Sequence, residues 1–369
     1  MNYLLIDDLS LEGWKDILEK ALIKDSGKLD FALDHDSAVN KLNHKYDIIF
    51  LDVRLGEKDH YINDIEEYTG YKILKEIKKS FDSKNFSTPI ILMTATNKIW
   101  NIDAFREYGT DSFFIKEHPD FIFNKETSRK NFEKLQSDFL RLIKISKKRN
   151  EVWSLCNSII NGLNKHMYFK DQDIRYQNVT HRIIDKLKLG YSVLFKNQTK
   201  LEKDILLTNN ESLAFIIFWS ILEEITKGFS DINETWDSTY KRKINWKFRN
   251  KEYFIEYQTK TNDFKINYNS ISKKQNNSSE DYKYFNGIIN LSEQVYALIY
   301  AYVPNAIEID KFKTQFQQIN GFRNKEDYIH SSVNSIFSKN LITETKKDKT
   351  YNMNIEILKF INNILSFKI

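Results

Sequence analysis

The sequence predicts an α/β protein whose N-terminal part is a doubly wound, five-stranded parallel sheet. Short runs of apolar residues alternate with amphipathic stretches over the first third of the chain. The runs are apolar at nearly every position, which is typical of strands that helices cover on both faces. Polar side chains follow several of these runs. In such a sheet they would lie beyond the carboxyl ends of the strands, where ligands bind.

The predicted elements follow one another in chain order. The strands cover residues 3–6, 29–33, 46–51, 90–93 and 112–115. The helices between and after them cover residues 10–24, 36–44, 71–80 and 99–108, with a last helix from about Ser128. The first helix is predicted from apolar residues at helical spacing, among them Leu11, Trp14 and Ile17.

Charged and hydroxyl side chains stand where four of the strands end. Asp7 and Asp8 follow the first strand, Asp52 ends the third, Thr94 follows the fourth and Lys116 follows the fifth. Paired acids hold a divalent cation, which cancels charge between a phosphoryl group and an attacking carboxylate. A lysine and a hydroxyl can hold the remaining phosphoryl oxygens. The set therefore fits phosphoryl transfer to a carboxylate.

These segments resemble the receiver domain of bacterial response regulators. The resemblance covers residues 6–116, through the motifs IDD (6–8), FLDVRL (50–55), LMTA (92–95) and FFIK (113–116). It implies that Asp52 is the phosphoacceptor and that Mg²⁺ is the cofactor. It also implies that Asp8 is a direct Mg²⁺ ligand, with Asp7 beside it and the main-chain carbonyl of Arg54 as a further ligand.

The resemblance implies roles for three more residues and for a partner. Thr94 would be the hydroxyl that follows the phosphoryl group, Lys116 would pair with its charge, and Phe113 would be a rotating aromatic switch. A sensor histidine kinase or a phosphotransfer protein would supply the phosphoryl group. The alternative is that Asp7 and Asp8 are loop acids and Lys116 is a surface lysine.

The chain departs from the family pattern at two places. In the family a proline directly follows the lysine, whereas here Glu117 and His118 stand between Lys116 and Pro119. Residues 57–69 (EKDHYINDIEEYT) form an acidic insertion between the acceptor strand and the next helix. An insertion so close to Asp52 could select a partner kinase or hinder phosphorylation.

Composition and charge indicate a cytoplasmic protein of two or three domains. The chain has 369 residues, 41% of them hydrophobic, and its single cysteine, Cys156, fits a reducing compartment. The most apolar stretch, residues 213–222, is too short to span a membrane. Residues 1–127 carry a net charge of −7 and the remainder a net charge of +12. An acidic regulatory part is thus joined to a basic part that is suited to an anionic partner.

We predict four segments: a receiver domain at 1–127, its last helix and a linker at 128–150, a middle α+β domain at 151–291, and an output module at 292–369. The last receiver helix either continues into the next domain or breaks near Lys147, Lys148 and Arg149. A continuous helix would transmit a twist or a rearrangement of a homodimer. In the mainly helical middle domain we predict helices at 152–166, 174–188 and 212–227, a β-hairpin at 243–257, a third strand at 263–268 and a polar loop at 270–280.

The C-terminal pattern weakly resembles a winged helix. Predicted helices at 291–302, 311–319 and 328–340 precede two predicted strands, at 341–344 and 350–354, that flank a basic tip. DNA is the partner that this order implies. The candidate nucleic-acid contacts are Ser331, Asn334, Ser335, Lys339, Lys346, Lys347 and Lys349. Residues 292–369 carry a net charge of only +2, which counts against a tight grip on phosphates.

Two other output functions stay open at this point. Arg323 and Asn324, followed by His330, resemble the short Arg-x4–6-His motif of HEPN-family ribonucleases. In that family the arginine and the histidine assist attack by a ribose 2′-hydroxyl. The remaining alternative is that residues 151–369 bind another protein and no nucleic acid.

Overall fold

The computed structural model describes residues 1–24, 27–62, 64–94, 105–116, 125–165, 174–195, 210–229, 231–236, 242–248, 251–258, 263–267, 291–303, 305–325 and 344–366. The chain forms two compact units, Met1–Ser154 and Leu155–Ile369.

The first unit is built on a five-stranded parallel sheet. Its strands are β1 (Asn2–Ile6), β2 (Lys28–Ala32), β3 (Ile48–Asp52), β4 (Ile90–Thr94) and β5 (Ser112–Ile115), in the order β2-β1-β3-β4-β5. Every neighbouring pair is parallel. This is the flavodoxin-like doubly wound order, whose direction reverses between β1 and β3. The predicted fold of this unit is confirmed.

Apolar residues on both faces of the strands explain why the sheet is buried. β3 and β4 are buried at all positions, and successive residues enter two separate cores. Ile49 and Leu51 pack with Leu74 of helix α3 (Thr69–Lys78) on one face. The other face packs against Phe139 of a long helix, α4, which covers Lys125–Lys165.

The segment after β1 is less regular than predicted. A 3₁₀ turn at Ser10–Glu12 precedes α1 (Trp14–Ile17), and a π-helical segment, Leu18–Ile23, follows it. Gly13, at φ +124°, interrupts the helix because only glycine readily adopts that backbone conformation. Leu11 and Ile17 are exposed, so their predicted place on the buried face was wrong.

The remaining helices of the first unit lie close to their predicted places. Helix α2 (His35–Lys41) begins with a capping box between Asp34 and Ser37. The helix predicted at 99–108 is described only from residue 105, and residues 105–107 are helical.

Helix α4 is continuous through Lys147, Lys148 and Arg149, which decides between the two alternatives for this segment. No glycine or proline interrupts residues 125–161. The helix is tied to the first unit as far as Trp153, whose indole N–H donates to the carbonyl of Phe81 at 2.8 Å. The division into four segments stays a prediction.

The second unit combines helices with an antiparallel sheet. Its helices are α5 (Ile174–Leu194), α6 (Asn210–Phe229), α7 (Leu291–Tyr302), α8 (Ala306–Lys325) and α9 (Glu344–Ser366). The sheet has the order β6-β7-β8-β9, with β6 at Asp231–Trp236, β7 at Arg242–Phe248, β8 at Lys251–Gln258 and β9 at Asp263–Asn267. The predicted hairpin, third strand and three middle helices are confirmed, whereas β6 was missed. The loop predicted at 270–280 lies outside the described residues.

Aromatic residues and one glycine hold the helices of the second unit together. Gly190 of α5 lies against the ring of Phe218 in α6, and a Cβ atom at this position would stand 2.3 Å from that ring. The rings of Trp219 and Phe360 each stack on Phe316, at centroid distances of 5.9 and 5.7 Å. Among the helices that the structure describes, none is both long and apolar enough to cross a membrane.

The C-terminal hairpin that the winged-helix resemblance required was a wrong prediction. Helix α9 covers residues 344–366, so Lys346, Lys347 and Lys349 lie in its first turns rather than at a hairpin tip. Tyr351, Ile355, Leu358, Ile361 and Leu365 are buried at helical spacing, and no glycine or proline interrupts the segment. Residues 306–310, which precede the helix predicted at 311–319, also belong to α8.

Candidate functional site

Parallel strand order brings the predicted site residues to one edge of the first sheet. Asp7 directly follows β1, Asp52 ends β3, Thr94 ends β4 and Lys116 directly follows β5. Register places Asp52 beside Met93, and Thr94 beside Ile115. Residues that are far apart in sequence thus meet at the carboxyl ends of four adjacent strands.

Three carboxylates form the centre of the site. Oxygen atoms of Asp7, Asp8 and Asp52 lie within 4.8 Å of one another. Asp7 and Asp52 are buried, whereas Asp8 is half-buried and accepts a hydrogen bond from the N–H of Gly56 at 2.8 Å. An all-oxygen donor set of high negative charge is the kind that Mg²⁺ prefers. The residues therefore fit the divalent cation that the sequence predicted.

Lys116 is the cation that the structure places among these acids. Its Nζ atom lies 2.6 Å from Oδ2 of Asp7 and also donates to Oδ2 of Asp52. Burial works against the charge of Lys116, but the two carboxylates outweigh it, so the pKa of Lys116 is raised. One ammonium group shared between two buried carboxylates leaves the cluster with excess negative charge.

The pKa of the Asp52 carboxyl lies just below neutral pH. Burial raises the pKa of Asp52 to about 6, the charge of Asp7 adds to this effect, and Lys116 opposes it. At neutral pH the carboxylate is ionised and held in surroundings that favour a further positive charge.

Thr94 ends the strand next to β3, and Arg54 follows Asp52 by two residues. Thr94 is buried, and its carbonyl accepts the N–H of Lys116 at 2.7 Å. The N–H of Arg54 points to Oδ1 of Asp52 at 3.4 Å, and its guanidinium donates to the hydroxyl of Tyr68 at 3.0 Å. Arg54 thus turns its side chain to Tyr68 while its main chain stays beside Asp52.

Phe113 is half-buried against the core on one face of the sheet. Two cations lie over its ring: Nζ of Lys134 is 4.0 Å from the centroid and the guanidinium carbon of Arg106 is 5.2 Å away. A rotation of the Phe113 ring would therefore break its contacts with Lys134 and Arg106. Its role as a switch stays a prediction.

Two residues near the site were missed in the sequence. Asp59, in the insertion, is buried and accepts hydrogen bonds from both ends of that segment. Trp14 lies with its ring 5.9 Å from Nζ of Lys116. Neither residue belongs to a recognisable sequence motif. Asp59 bonds Thr69, ten residues further along the chain, and Trp14 approaches Lys116 only in the folded structure.

Only some of the residues predicted for the output belong to the described part of the chain. Ser331, Asn334, Ser335, Lys339 and His330 lie outside the described residues. The Arg323 guanidinium carbon lies 4.5 Å from the ring centroid of Trp219, a packing contact inside the second unit. The winged-helix and ribonuclease resemblances therefore stay without structural support.

The chain was compared with known proteins. No protein-family model matches it, and no curated protein does. It is similar to a two-component response regulator from Clostridium difficile, at 24% identity over 38% of this chain and 98% of that one, with a TM-score of 0.28. The receiver domain of the Francisella response regulator 1452 matches at 20% identity over 39% of this chain and 96% of that one, with a TM-score of 0.28. The Vibrio cholerae chemotaxis protein CheY4 matches at 20% identity over 36% of this chain and 96% of that one, with a TM-score of 0.26.

Proposed function

We propose that the chain is a response regulator of a phosphorelay and that Asp52 accepts the phosphoryl group. The observation that carries this proposal is the meeting of three carboxylates and Lys116 at the carboxyl edge of a doubly wound sheet. The donor is a sensor histidine kinase or a phosphotransfer protein.

Asp52 is the nucleophile of the reaction. One of its carboxylate oxygens attacks the phosphorus atom of the donor, and the bond from phosphorus to the donor nitrogen breaks, with its electron pair leaving on the donor. The product is an acyl phosphate. Its formation requires the ionised carboxylate, and a pKa of about 6 keeps Asp52 ionised at neutral pH. A bound Mg²⁺ supplies cancellation of charge between the carboxylate and the phosphoryl oxygens.

The other residues of the site hold the cation and the phosphoryl group. Asp8 and Asp7 hold Mg²⁺ together with the main-chain carbonyl of Arg54. Lys116, which pairs with Asp52 before the reaction, moves its contact to a phosphoryl oxygen. The hydroxyl of Thr94 follows the phosphoryl group, and Phe113 turns in response.

Phosphorylation by a small donor tests the proposal directly. Acetyl phosphate with Mg²⁺ should add one phosphoryl group to the intact protein, as measured by mass spectrometry. Asp52→Asn should abolish this addition, and EDTA should do the same. Asp36→Asn is the matched control, because Asp36 is exposed on α2 and should leave labelling unchanged. A wild-type protein that takes up no phosphoryl group from any donor would contradict the proposal.

The second unit is the output that the receiver controls, and DNA is its proposed partner. The support is the net charge of +7 on residues 155–369, which hold 31 Lys+Arg and 24 Asp+Glu. Retention on DNA should fall steeply with salt, because binding to phosphates releases counterions. Phosphorylation should change retention, or the fraction of homodimer measured by light scattering. A chain that does not bind DNA at low salt in either state would contradict DNA as the partner.

A further inference from the structure

The acidic insertion after β3 is folded around one buried carboxylate. Asp59 lies in a 3₁₀ turn, Glu57–Tyr61, and its side chain is only 2% exposed, while Glu57, Glu66 and Glu67 are exposed. A buried carboxylate needs hydrogen-bond donors to offset the loss of its hydration. The donors that Asp59 receives come from the two ends of the insertion.

Asp59 closes the insertion into a loop. Its Oδ2 atom accepts the N–H of Leu55 at 2.8 Å and the N–H of Thr69 at 3.1 Å. Its Oδ1 atom accepts the hydroxyl of Thr69 at 3.0 Å. We call this set, Leu55, Asp59 and Thr69, the Asp59 clamp. The clamp joins the residues that follow the acceptor strand to the first residue of α3.

The loop that the clamp holds reaches the acidic site through Gly56. The N–H of Asp59 donates to the carbonyl of Gly56 at 3.2 Å, and the N–H of Gly56 donates to Oδ2 of Asp8 at 2.8 Å. Gly56 has φ +90°, a conformation that side-chain-bearing residues avoid. A loop in such a conformation keeps its shape only when its neighbours hold it.

The other end of the Asp59 clamp, at Thr69, also lies close to Asp52. The N–H of Gly70, next to Thr69, donates to the carbonyl of Val53 at 3.2 Å. A Cβ atom at Gly70 would stand 2.1 Å from the carbonyl oxygen of Asp52. The start of α3 is therefore packed directly on the main chain of residues 52–53, and the clamp fixes this packing.

We propose that Asp59 is a positioning residue for the cation site, acting through Gly56 on Asp8 and through Leu55 on the loop that carries Arg54. The inference rests on the proposed function only in taking Mg²⁺ as the cation. Partners of this kind orient metal ligands, and their loss typically costs about 10- to 100-fold in metal affinity. The role depends on the geometry of hydrogen bonding and not on the charge of Asp59.

Two substitutions separate geometry from charge. Asp59→Asn keeps an oxygen that can accept both N–H groups, and its amide can donate to the Thr69 hydroxyl, which then acts as an acceptor. Asp59→Ala removes every bond of the clamp. Asp64→Ala is the matched control, because Asp64 lies in the same insertion, is exposed, and its side chain accepts the N–H of Glu66 rather than a group of the clamp.

The measurement is Mg²⁺ affinity by isothermal titration calorimetry on the full chain. We expect Asp59→Ala to weaken Mg²⁺ binding by about tenfold or more, and Asp59→Asn and Asp64→Ala to stay within about twofold of wild type. Thr69→Val removes only the hydroxyl bond and should weaken binding by about two- to threefold. It serves as the test if Asp59→Ala does not fold, as judged by near-ultraviolet circular dichroism.

Each outcome decides for or against the clamp. Wild-type affinity in Asp59→Ala, or in Thr69→Val if the alanine variant is unfolded, overturns the proposal. Equal losses in Asp59→Asn and Asp59→Ala overturn it in favour of simple attraction by charge. A wild-type chain that binds no Mg²⁺ also overturns it. A chain that binds Mg²⁺ with the expected variant pattern but takes up no phosphoryl group refutes the proposed function and supports the clamp.

Discussion

The two edges of the first sheet carry buried charges of opposite balance. The carboxyl edge holds three acids, Asp7, Asp8 and Asp52, and one cation, Lys116. The amino edge has the reverse arrangement, with cations in excess. Its residues are the cations Arg149, Lys45 and Lys78 and the acids Asp111 and Asp47, of which Asp47 acts on Lys45. The same fold therefore buries a surplus of negative charge at one edge and a surplus of positive charge at the other.

At the amino edge, groups of the protein itself stabilise the excess positive charge. Nζ of Lys78 donates to the carbonyls of Phe86 and Thr88 at 2.8 and 3.1 Å, and Nζ of Lys45 donates to the hydroxyls of Ser87 and Thr88 at 2.7 and 3.1 Å. Burial lowers the pKa of Lys78 to about 7 and that of Lys45 to about 8. Neutral acceptors and partial loss of protons thus remove the need for an external ion.

The carboxyl edge keeps its surplus. The oxygens of its three acids lie within 4.8 Å of one another, and Lys116 balances only part of their charge. The comparison teaches that a cluster of charged residues indicates a ligand site when the side chains that carry the excess charge all point to one place. The amino edge, equally buried, is structural because its surplus is dispersed. Substitutions at the two edges should therefore respond differently to Mg²⁺.

The largest expected effect is at the amino edge. Arg149→Met should lower the free energy of unfolding of the first unit by about 3–5 kcal/mol, because it leaves Asp111 buried without its ion pair. The pair has an N–O distance of 2.6 Å, and the side chain of Asp111 is 3% exposed. Chemical denaturation with and without Mg²⁺ measures the loss, which should be the same in both.

Arg141→Met is the control for this substitution. Its partner Asp138 lies 3.1 Å away on the same helix, and the side chain of Arg141 is 45% exposed. An exposed pair contributes less than about 1 kcal/mol. A loss in Arg149→Met no larger than in Arg141→Met would remove the contrast between the edges.

A smaller effect of opposite sign is expected at the carboxyl edge. The folded-state pKa of Asp52 is raised to about 6, so the stability that this carboxyl contributes is present at low pH and is lost as pH rises through 6. In EDTA at pH 8, Asp52→Asn should therefore be more stable than wild type by about 1–2 kcal/mol. Below about pH 4 the difference should disappear, because Asp52 is then protonated in both the folded and the unfolded wild type.

Mg²⁺ should reverse this ranking. A ligand that binds only the folded state stabilises it by an amount that grows with its concentration, about 2.7 kcal/mol at 100 times the dissociation constant. Wild type should gain this stability, and Asp52→Asn should gain less because it has lost one carboxylate. Thermal unfolding in EDTA and in Mg²⁺ measures both. Equal shifts of the melting temperature in wild type and Asp52→Asn would show that Asp52 does not contribute to the cation site.

Sequence patterns predicted the carboxyl edge much better than the amino edge. Asp7, Asp8, Asp52, Thr94 and Lys116 directly end or follow strands, and topology alone brings strand ends together. The contacts of Arg149 and Asp59 depend on where a helix and a loop dock, which no local spacing encodes. The continuous α4 was one of two open alternatives, since the absence of glycine permits a long helix without requiring it.

The C-terminal segment shows how a short polar pattern misleads. Residues 350–354 alternate in a way that fits a strand, but the buried positions of the next ten residues recur at helical spacing and decide the structure. The first helix failed for the opposite reason, because one glycine at a positive φ outweighs several well-spaced apolar residues.

The smallest effect compares the tryptophans of the two edges. Each has a lysine ammonium over its ring, Lys45 at 4.9 Å from Trp153 and Lys116 at 5.9 Å from Trp14. Trp153→Phe loses the hydrogen bond from the indole to Phe81 and should cost about 1 kcal/mol in the free energy of unfolding, with or without Mg²⁺. In the wild type, Mg²⁺ should change the fluorescence of Trp14, because a cation held by Asp7 and Asp8 would weaken the pairing of Lys116 with Asp7 and leave its pairing with Asp52. The change should therefore survive in Trp153→Phe and vanish in Trp14→Phe. Loss of the fluorescence change in Trp153→Phe instead would mean that the amino edge responds to the cation. The charges of the amino edge would then not have the purely structural role that their hydrogen bonds indicate.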